Sequence, residues 1–315
     1  MDIIQVITKE LNVEKWQVEA AVKLIDEGCT IPFISRYRKE ATGSLNDEQL
    51  RTLHERLTYL RNLEEKKNQV LGSIEEQGKL TAELKKQILD AQTLVVVEDL
   101  YRPFRPKRRT RAIIAKEKGL EPLANIIMLQ MTDKPIEEEA QDFVSEDKGV
   151  ESVADAINGA KDIIAEHISD EADYRIYLRK LTMDRGSVAS TAKKPEESSV
   201  YEMYYEFEEP IKKLAGHRVL ALNRGEKEKI LTVKVNAPEE EAMGWLQKQV
   251  ITKENPITKP ILREVVEDSY KRLIAPAIER EIRSDLTEKA EDGAIHVFGK
   301  NLEQLLMQPP IVGKV

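Results

Sequence analysis

The stretch "LREVVEDSYKRLIAPAIEREIRSDLTEKA", residues 262–290, repeats apolar side chains at three- and four-residue spacing. The pattern runs for about eight helical turns. Its apolar positions are Leu262, Val265, Val266, Tyr270, Leu273, Ile274, Ala277, Ile278, Ile282, Leu286 and Ala290. This pattern predicts one long helix from about 259 to 308 that packs against other elements along its length. Pro276 has no N–H to donate, so we expect a kink there or a neighbouring group that covers the broken bond.

The same periodicity predicts further helices near the start of the chain. Residues 2–28 read as two helices joined by a three-residue turn, with Gly28 at the end of the second. This outline fits a helix-turn-helix, and it fits any helical hairpin equally. Residues 31–45 read as an irregular, partly basic connector. Asn46, with Gln49 three residues later, predicts a capping box at the start of a long helix.

The residue pattern of the chain changes after about residue 182, from helical periodicity to polar, aromatic and β-prone stretches. Residues 152–181 predict one or two helices, and residues 154–168 have a similar claim to be the helix-turn-helix. Residues 182–199 are polar and read as a linker. The aromatic segment 201–207, "YEMYYEF", fits either core packing or a base-stacking platform. The run "HRVLALNRGEKEKILTVKV" predicts two β-strands joined by a turn at Gly225.

These elements predict a mainly α protein with a multi-helical N-terminal region, one small β-hairpin and a long C-terminal helix. We expect a helical domain over residues 1–195 that includes a helix-turn-helix-like element. An aromatic segment with the hairpin follows over 196–258, and the long connecting helix over 259–308. Over residues 309–315, two prolines are followed by a β-prone run from Ile311, which indicates the start of a further domain.

Composition narrows the function classes. Charged residues make up 34% of the chain, and no apolar run approaches the roughly 20 residues of a membrane span. The N-terminus lacks the basic start and apolar block of a signal peptide. The single cysteine, Cys29, cannot form an internal disulfide and fits a reducing compartment. We therefore expect a cytoplasmic protein without a membrane partner.

Motifs for catalysis are missing from the sequence. The four histidines lie far apart and lack metal-ligand spacing, and no phosphate-binding or dinucleotide-binding glycine motif occurs. We expect neither a cofactor, nor a metal site, nor enzymatic activity in these residues.

The basic segment "YRPFRPKRRTRA", residues 101–112, is the strongest local signal. It holds six positive and no negative charges in a chain of net charge −8. Its cations are Arg102, Arg105, Lys107, Arg108, Arg109 and Arg111. Arginine forks bind phosphate oxygens, and the two prolines keep the segment from forming a regular helix. The alternative is that these cations pair with the acidic stretch 133–151, which has eight acidic and two basic residues.

Four separated stretches resemble the bacterial Tex family, transcription accessory proteins related to a eukaryotic transcription-elongation factor. They are "TIPFISRYRKEATGSLNDEQL", "VVEDLYRPFRPKRRTRAIIAKEKGLEPLA", "HRVLALNRGE" and the region 268–315 that begins "DSYKRLIAPAIERE". The family pattern in the basic segment reads closer to L-Y-x-P-Y-K-P-K-R-R-T. This chain has Phe104 and Arg105 there, which keep the aromatic and cationic types.

The resemblance implies a helical N-terminal region with a helix-turn-helix, and later RNase-H-like, helix-hairpin-helix and OB-fold RNA-binding domains. Residues 311–315 would begin the RNase-H-like domain, which in the family is generally regarded as inactive. The resemblance favours binding of RNA or DNA by the basic segment, together with Arg36, Arg38 and Lys39 of "SRYRKE". The alternative is a scaffold that positions the later domains or binds a protein of the transcription machinery.

Overall fold

Helices dominate the structure, a computed structural model that describes residues 2–106 and 108–308. This confirms the mainly α class. Contacts within the chain divide it into two compact units, Met1–Arg105 and Pro106–Val315. The predicted domain boundaries at 195/196 and 258/259 stay predictions. The predicted start of a further domain at 309–315 lies outside the described residues.

The described residues of the first unit form helices joined by turns and loops, with no strand among them. Its helices are α1 (Ile3–Leu11), α2 (Lys15–Asp26), α3 (Ile31–Tyr37), α4 (Asp47–Glu76), α5 (Ala82–Asp90) and α6 (Leu94–Tyr101). The predicted capping box is present, because the Asn46 side chain accepts from the Gln49 N–H at 2.8 Å and the Gln49 side chain accepts from the Asn46 N–H at 3.1 Å. A buried leucine stripe on α4 forms the centre of this unit's core.

Helix α3 corrects the prediction of an irregular connector over 31–45. Pro32 lies in the first turn of α3, where a missing N–H breaks no helical hydrogen bond. Ile34 is fully buried, and α3 contacts both α2 and α4. The proline and the short length of the apolar run hid this helix in the sequence.

The second unit combines helices with one small sheet. Its helices are α7 (Arg111–Glu117), α8 (Glu121–Leu129), α9 (Ile136–Gln141), α10 (Val153–Asp170), α11 (Ala172–Arg185), α12 (Gly216–Lys227), α13 (Glu239–Val250), α14 (Thr258–Asp268) and α15 (Ala275–Leu306). Its strands are β1 (Ser187–Ala192), β2 (Glu206–Pro210) and β3 (Leu231–Asn236). Helix α10 contacts α7, α8, α9 and α14, so it is central to the core.

The sheet overturns two predictions. Its strand order is β2-β1-β3 with both pairings antiparallel, so the central strand falls in the stretch read as a linker. The predicted hairpin is also wrong, because its first half is helix α12. Val219, Leu222 and Gly225 are buried at three-residue spacing, which is the period of a helix face and not of a strand.

The long C-terminal helix is present as predicted, but it packs against other elements only as far as Ala290 and not along its whole length. Helix α14, a π-helical turn over Ser269–Ile274 and α15 follow one another without a break. The π turn lies directly before Pro276, where the proline ring would crowd the carbonyl four residues earlier in a regular helix. The apolar stripe is buried as far as Ala290, whereas apolar residues beyond it are exposed.

Core packing is the correct interpretation of the aromatic segment. Tyr201 and Tyr204 are buried, and the Tyr204 and Phe207 rings meet edge to face at 5.3 Å. No helix in the described ranges combines the length and apolar character that a membrane crossing requires.

Candidate nucleic-acid interface

The basic segment lies between two short helices and is irregular, as its prolines predict. Helix α6 ends at Tyr101 and continues as a single 3-10 turn over Arg102–Phe104. The next helix, α7, begins at Arg111 and is capped by Thr110, whose hydroxyl accepts from the Ile113 N–H at 3.1 Å. The described residues between them, 105–106 and 108–110, adopt no regular structure.

The first half of the segment belongs to the first unit and is fixed against α4. The Tyr101 hydroxyl lies 2.9 Å from Ser73 Oγ, and Gln77 Nε2 donates to the Phe104 carbonyl at 3.0 Å. Tyr101 and Phe104 are half-buried. The Tyr101 hydroxyl and the Phe104 carbonyl therefore anchor this part of the chain, and the half-buried rings are poorly placed to stack on a base.

Arg105 projects from this anchored backbone into solvent. Its side chain is 65% exposed, and its Nη1 lies 3.6 Å from Glu98 Oε2. Glu98 also pairs with Lys66 at 2.6 Å, the shorter of its two contacts. Arg105 is thus held only weakly, because an exposed ion pair at this distance contributes at most about 1 kcal/mol. Arg102, in the 3-10 turn, is half-buried.

The second half of the segment belongs to the second unit and is equally open. Arg108, Arg109 and Arg111 are exposed. Arg109 Nη2 lies 2.9 Å from Glu117 Oε2 in a pair whose side chains are 70% and 53% exposed. Among the described residues Arg108 makes no ion pair. Lys107 lies outside the described residues.

Arg111 lies in the first turn of α7, and its charge acts on a half-buried carboxylate of the second unit. Burial raises the pKa of Asp162 above its usual value, and the charges of Arg272 and Arg111 offset part of this rise. The charge of Arg111 therefore also influences a carboxyl group of its own unit.

The carboxylate partners differ from those that the sequence suggested. Arg105 and Arg109 pair with Glu98 and Glu117, and neither carboxylate belongs to the acidic stretch 133–151. Both are surface pairs, which water and salt screen. A phosphate could replace either carboxylate at little cost in stability.

A second group of predicted site residues lies at the end of α3. Arg36, Arg38 and Lys39 are all exposed, and the Arg38 guanidinium lies 5.7 Å from the centroid of the Phe33 ring. Phe33 and Tyr37 have ring centroids 5.5 Å apart. Sequence reasoning missed both rings, although their spacing of four residues would have placed them on one face of a helix.

Comparison with known proteins gives matches along most of the chain. The family model "Tex-like protein N-terminal domain" matches residues 1–75, and "Tex central region-like" matches residues 131–298. The protein YdcI of Bacillus subtilis is 50% identical over 313 residues, which cover 98% of this chain and 44% of YdcI.

More distant relatives carry descriptive names. "Transcriptional accessory protein Tex" of Neisseria gonorrhoeae is 37% identical over 317 residues, covering 98% of this chain and 42% of that protein. "S1 RNA-binding domain-containing protein 1" of Homo sapiens is 32% identical over 329 residues, covering 99% of this chain and 33% of that protein. The chain thus spans less than half the length of these relatives. The central-region match alone covers more than half of this chain, so the chain belongs to the Tex family.

Proposed function

We propose that this chain is a non-catalytic, nucleic-acid-binding region of a cytoplasmic transcription accessory protein. The observation that carries the proposal is the pair of exposed arginines, Arg105 and Arg109, on a basic segment whose two ends are fixed to helices. The names of two relatives, a transcriptional accessory protein and an RNA-binding domain protein, agree with this role.

In this proposal, the guanidinium groups of the basic segment bind backbone phosphates. Arg105 and Arg109 exchange Glu98 and Glu117 for phosphate oxygens, and Arg108 has no carboxylate to give up within the described residues. Arg102, Lys107 and Arg111 add positive charge along the same segment. Because phosphate contacts release counterions, the affinity should fall steeply with salt. The contacts carry no base specificity, so RNA and DNA backbones both fit.

The test compares two double variants that remove the same charge. R105A/R109A removes two arginines of the basic segment, with side chains 65% and 70% exposed. R185A/R224A is the matched control, because these arginines are 62% and 76% exposed and each also pairs with a glutamate. Binding of labelled oligonucleotides is measured at several salt concentrations. We expect R105A/R109A to make the log–log salt slope shallower by about 1.4 to 1.8 and the control to leave it unchanged.

Equal effects of the two variants would refute the proposal, since the loss would then reflect net charge alone. The assay also separates the proposal from its alternative. In that alternative, the chain is a scaffold that positions later domains or binds a protein of the transcription machinery. The scaffold is favoured by the exposed apolar side chains near the end of α15, among them Ile295, Phe298 and Leu305. It predicts no oligonucleotide binding at moderate salt and a lower melting temperature for R105A/R109A.

A further inference from the structure

Two aromatic rings on α3 lie exposed among cations. Tyr37 is 66% exposed and Phe33 is 39% exposed, and the two rings lie on the same face of the helix at 5.5 Å. Burial of such rings is strongly favourable, so a pair left in solvent commonly marks a contact surface. The neighbouring cations are Arg36, Arg38 and Lys39.

The cations give this surface a net positive charge. Glu40 is the one acidic residue within the stretch 36–40. Asp47, which accepts from the Ser35 hydroxyl of α3, pairs with Arg51 at 2.6 Å. None of the three cations makes an ion pair with a carboxylate in the part of the chain that the structure describes. The positive charge is therefore available to an anionic partner.

The turn after α3 is held rigidly. Gln17 of α2 donates from Nε2 to the Thr42 carbonyl at 3.2 Å and to the Gly43 carbonyl at 3.0 Å. Trp16 packs so closely on Gly43 that a Cβ there would lie 2.6 Å from its ring. The Thr42 hydroxyl donates to the Arg38 carbonyl at 3.3 Å. These contacts fix the backbone that carries Arg38 and Lys39, so little order has to be gained on binding.

We infer that the end of α3 binds single-stranded nucleic acid, with bases stacked on Tyr37 and Phe33 and phosphates bound by Arg36, Arg38 and Lys39. This inference rests on the function proposed above and specifies its ligand. Exposed aromatic rings beside cations match the alternating π-faces and phosphates of a single strand. In a duplex the bases are already stacked on each other, so a duplex can engage the cations and not the rings.

Phe33 and Tyr37 offer unequal surfaces for stacking on a base. Arg38 lies against one side of the Phe33 ring at 5.7 Å, which leaves Phe33 the smaller free surface. Tyr37 is more exposed and is therefore the main stacking platform. A single substitution at Tyr37 should already weaken binding of a single strand.

The test uses labelled oligothymidylate and oligouridylate and a duplex of the same length. We expect F33A/Y37A to weaken single-strand binding by about tenfold, while duplex binding and the salt slope stay unchanged. Phe298→Ala is the matched control, because that ring is 70% exposed and lies on α15 in the other unit. Tyr37→Trp keeps a ring and should keep the affinity.

A second readout locates the contact without relying on affinity. An oligonucleotide containing 5-iodouracil should cross-link on irradiation to Tyr37 or Phe33, as mapped by mass spectrometry of the peptide. Circular dichroism tests whether F33A/Y37A is folded. If this double variant is unfolded, the single variant Tyr37→Ser takes its place.

Two results would overturn the inference. One is unchanged single-strand affinity in the ring variants, with cross-links elsewhere. The other is an equal loss of duplex and single-strand binding. Either result leaves the salt-slope comparison at Arg105 and Arg109 intact, so this inference can fail while the proposed function stands. A chain that binds no oligonucleotide at all refutes both.

Discussion

Replacing Gly225 with alanine should destabilise the second unit, although alanine is the better helix former. Gly225 lies on the buried face of α12, close to β3. A Cβ at this position would lie 2.6 Å from Leu231 Cδ1, 2.9 Å from Leu231 Cγ and 3.2 Å from Tyr201 Cδ1. Leu231 is fully buried and Tyr201 is 5% exposed, so neither side chain can move aside into solvent. The added methyl group therefore overpacks the core.

Two opposing effects set the magnitude. Inserting a methyl group into a well-packed core costs about 1–3 kcal/mol. Alanine gains up to about 1 kcal/mol over glycine inside a helix, and less here because α12 ends at Lys227. The free energy of unfolding should thus fall by about 1–2 kcal/mol. Gly244 in the middle of α13 is the matched control, since a Cβ there meets nothing within 4 Å. Gly244→Ala should raise the free energy of unfolding by about 0.5–1 kcal/mol.

Urea denaturation, monitored by tryptophan fluorescence, measures the effects of Gly225→Ala and Gly244→Ala on the unfolding of the second unit. The chain has two tryptophans, and Trp245 in the second unit is stacked on Tyr177 at 3.8 Å. Trp16, 52% exposed, is replaced by phenylalanine in all samples so that the signal reports only on Trp245. The reasoning fails if Gly225→Ala is as stable as its parent, or if both glycine substitutions shift the midpoint in the same direction.

Two further stability predictions concern buried polar groups of the second unit. Gln130→Ala should lower the free energy of unfolding by about 2–3 kcal/mol. The Gln130 side chain donates a hydrogen bond to the Val250 carbonyl at 2.9 Å and accepts hydrogen bonds from two backbone N–H groups. Gln249→Ala, at an exposed position, is the control in the same urea assay. Burial raises the pKa of Tyr270 to about 12 from 10.0, so the folded protein keeps a proton that the unfolded chain loses as the pH rises. Between pH 10 and 12 the stability of the parent should therefore fall by about 2 kcal/mol more than that of Tyr270→Phe, and parallel pH profiles would contradict this.

The parts of the fold that the sequence predicts are those specified by local signals. The start of α4 depends on Asn46 and Gln49, whose side chains and backbones bond to each other. The long C-terminal element depends on a repeat that no strand could satisfy, and its one irregularity lies beside Pro276. Each of these signals is complete within a few residues.

The missed elements depend on distant partners. β1 reads as a linker because its residues are small and polar, yet it pairs with β2 on one side and β3 on the other. Val188 and Ser190 are buried in a strand that pairs with both neighbours, and the farther of these, β3, begins at Leu231. Gly225 looked like a turn residue, and its actual reason is the close approach of Leu231. Neither fact can be read from a window of neighbouring residues.

The candidate site shows the same division between local and distant information. The charge of the basic segment and its break by Pro103 and Pro106 are evident in the sequence. The carboxylates that face Arg105 and Arg109 are not, and they turn out to be Glu98 and Glu117 in place of the acidic stretch. The rings of α3 were missed because their segment did not read as a helix.

The paired glutamates bear directly on how the basic segment would work. Like charges that follow one another along a chain repel, and Glu98 and Glu117 each offset the charge of one arginine of the basic segment. Both pairs are exposed, so each stabilises the chain by at most about 1 kcal/mol and gives way at little cost. A backbone phosphate offers the same bidentate geometry as a carboxylate, and a strand offers many such phosphates in a row. If the proposed exchange of carboxylate for phosphate takes place, it favours the strand most at low salt. R105A/R109A and R185A/R224A should therefore differ most in that condition.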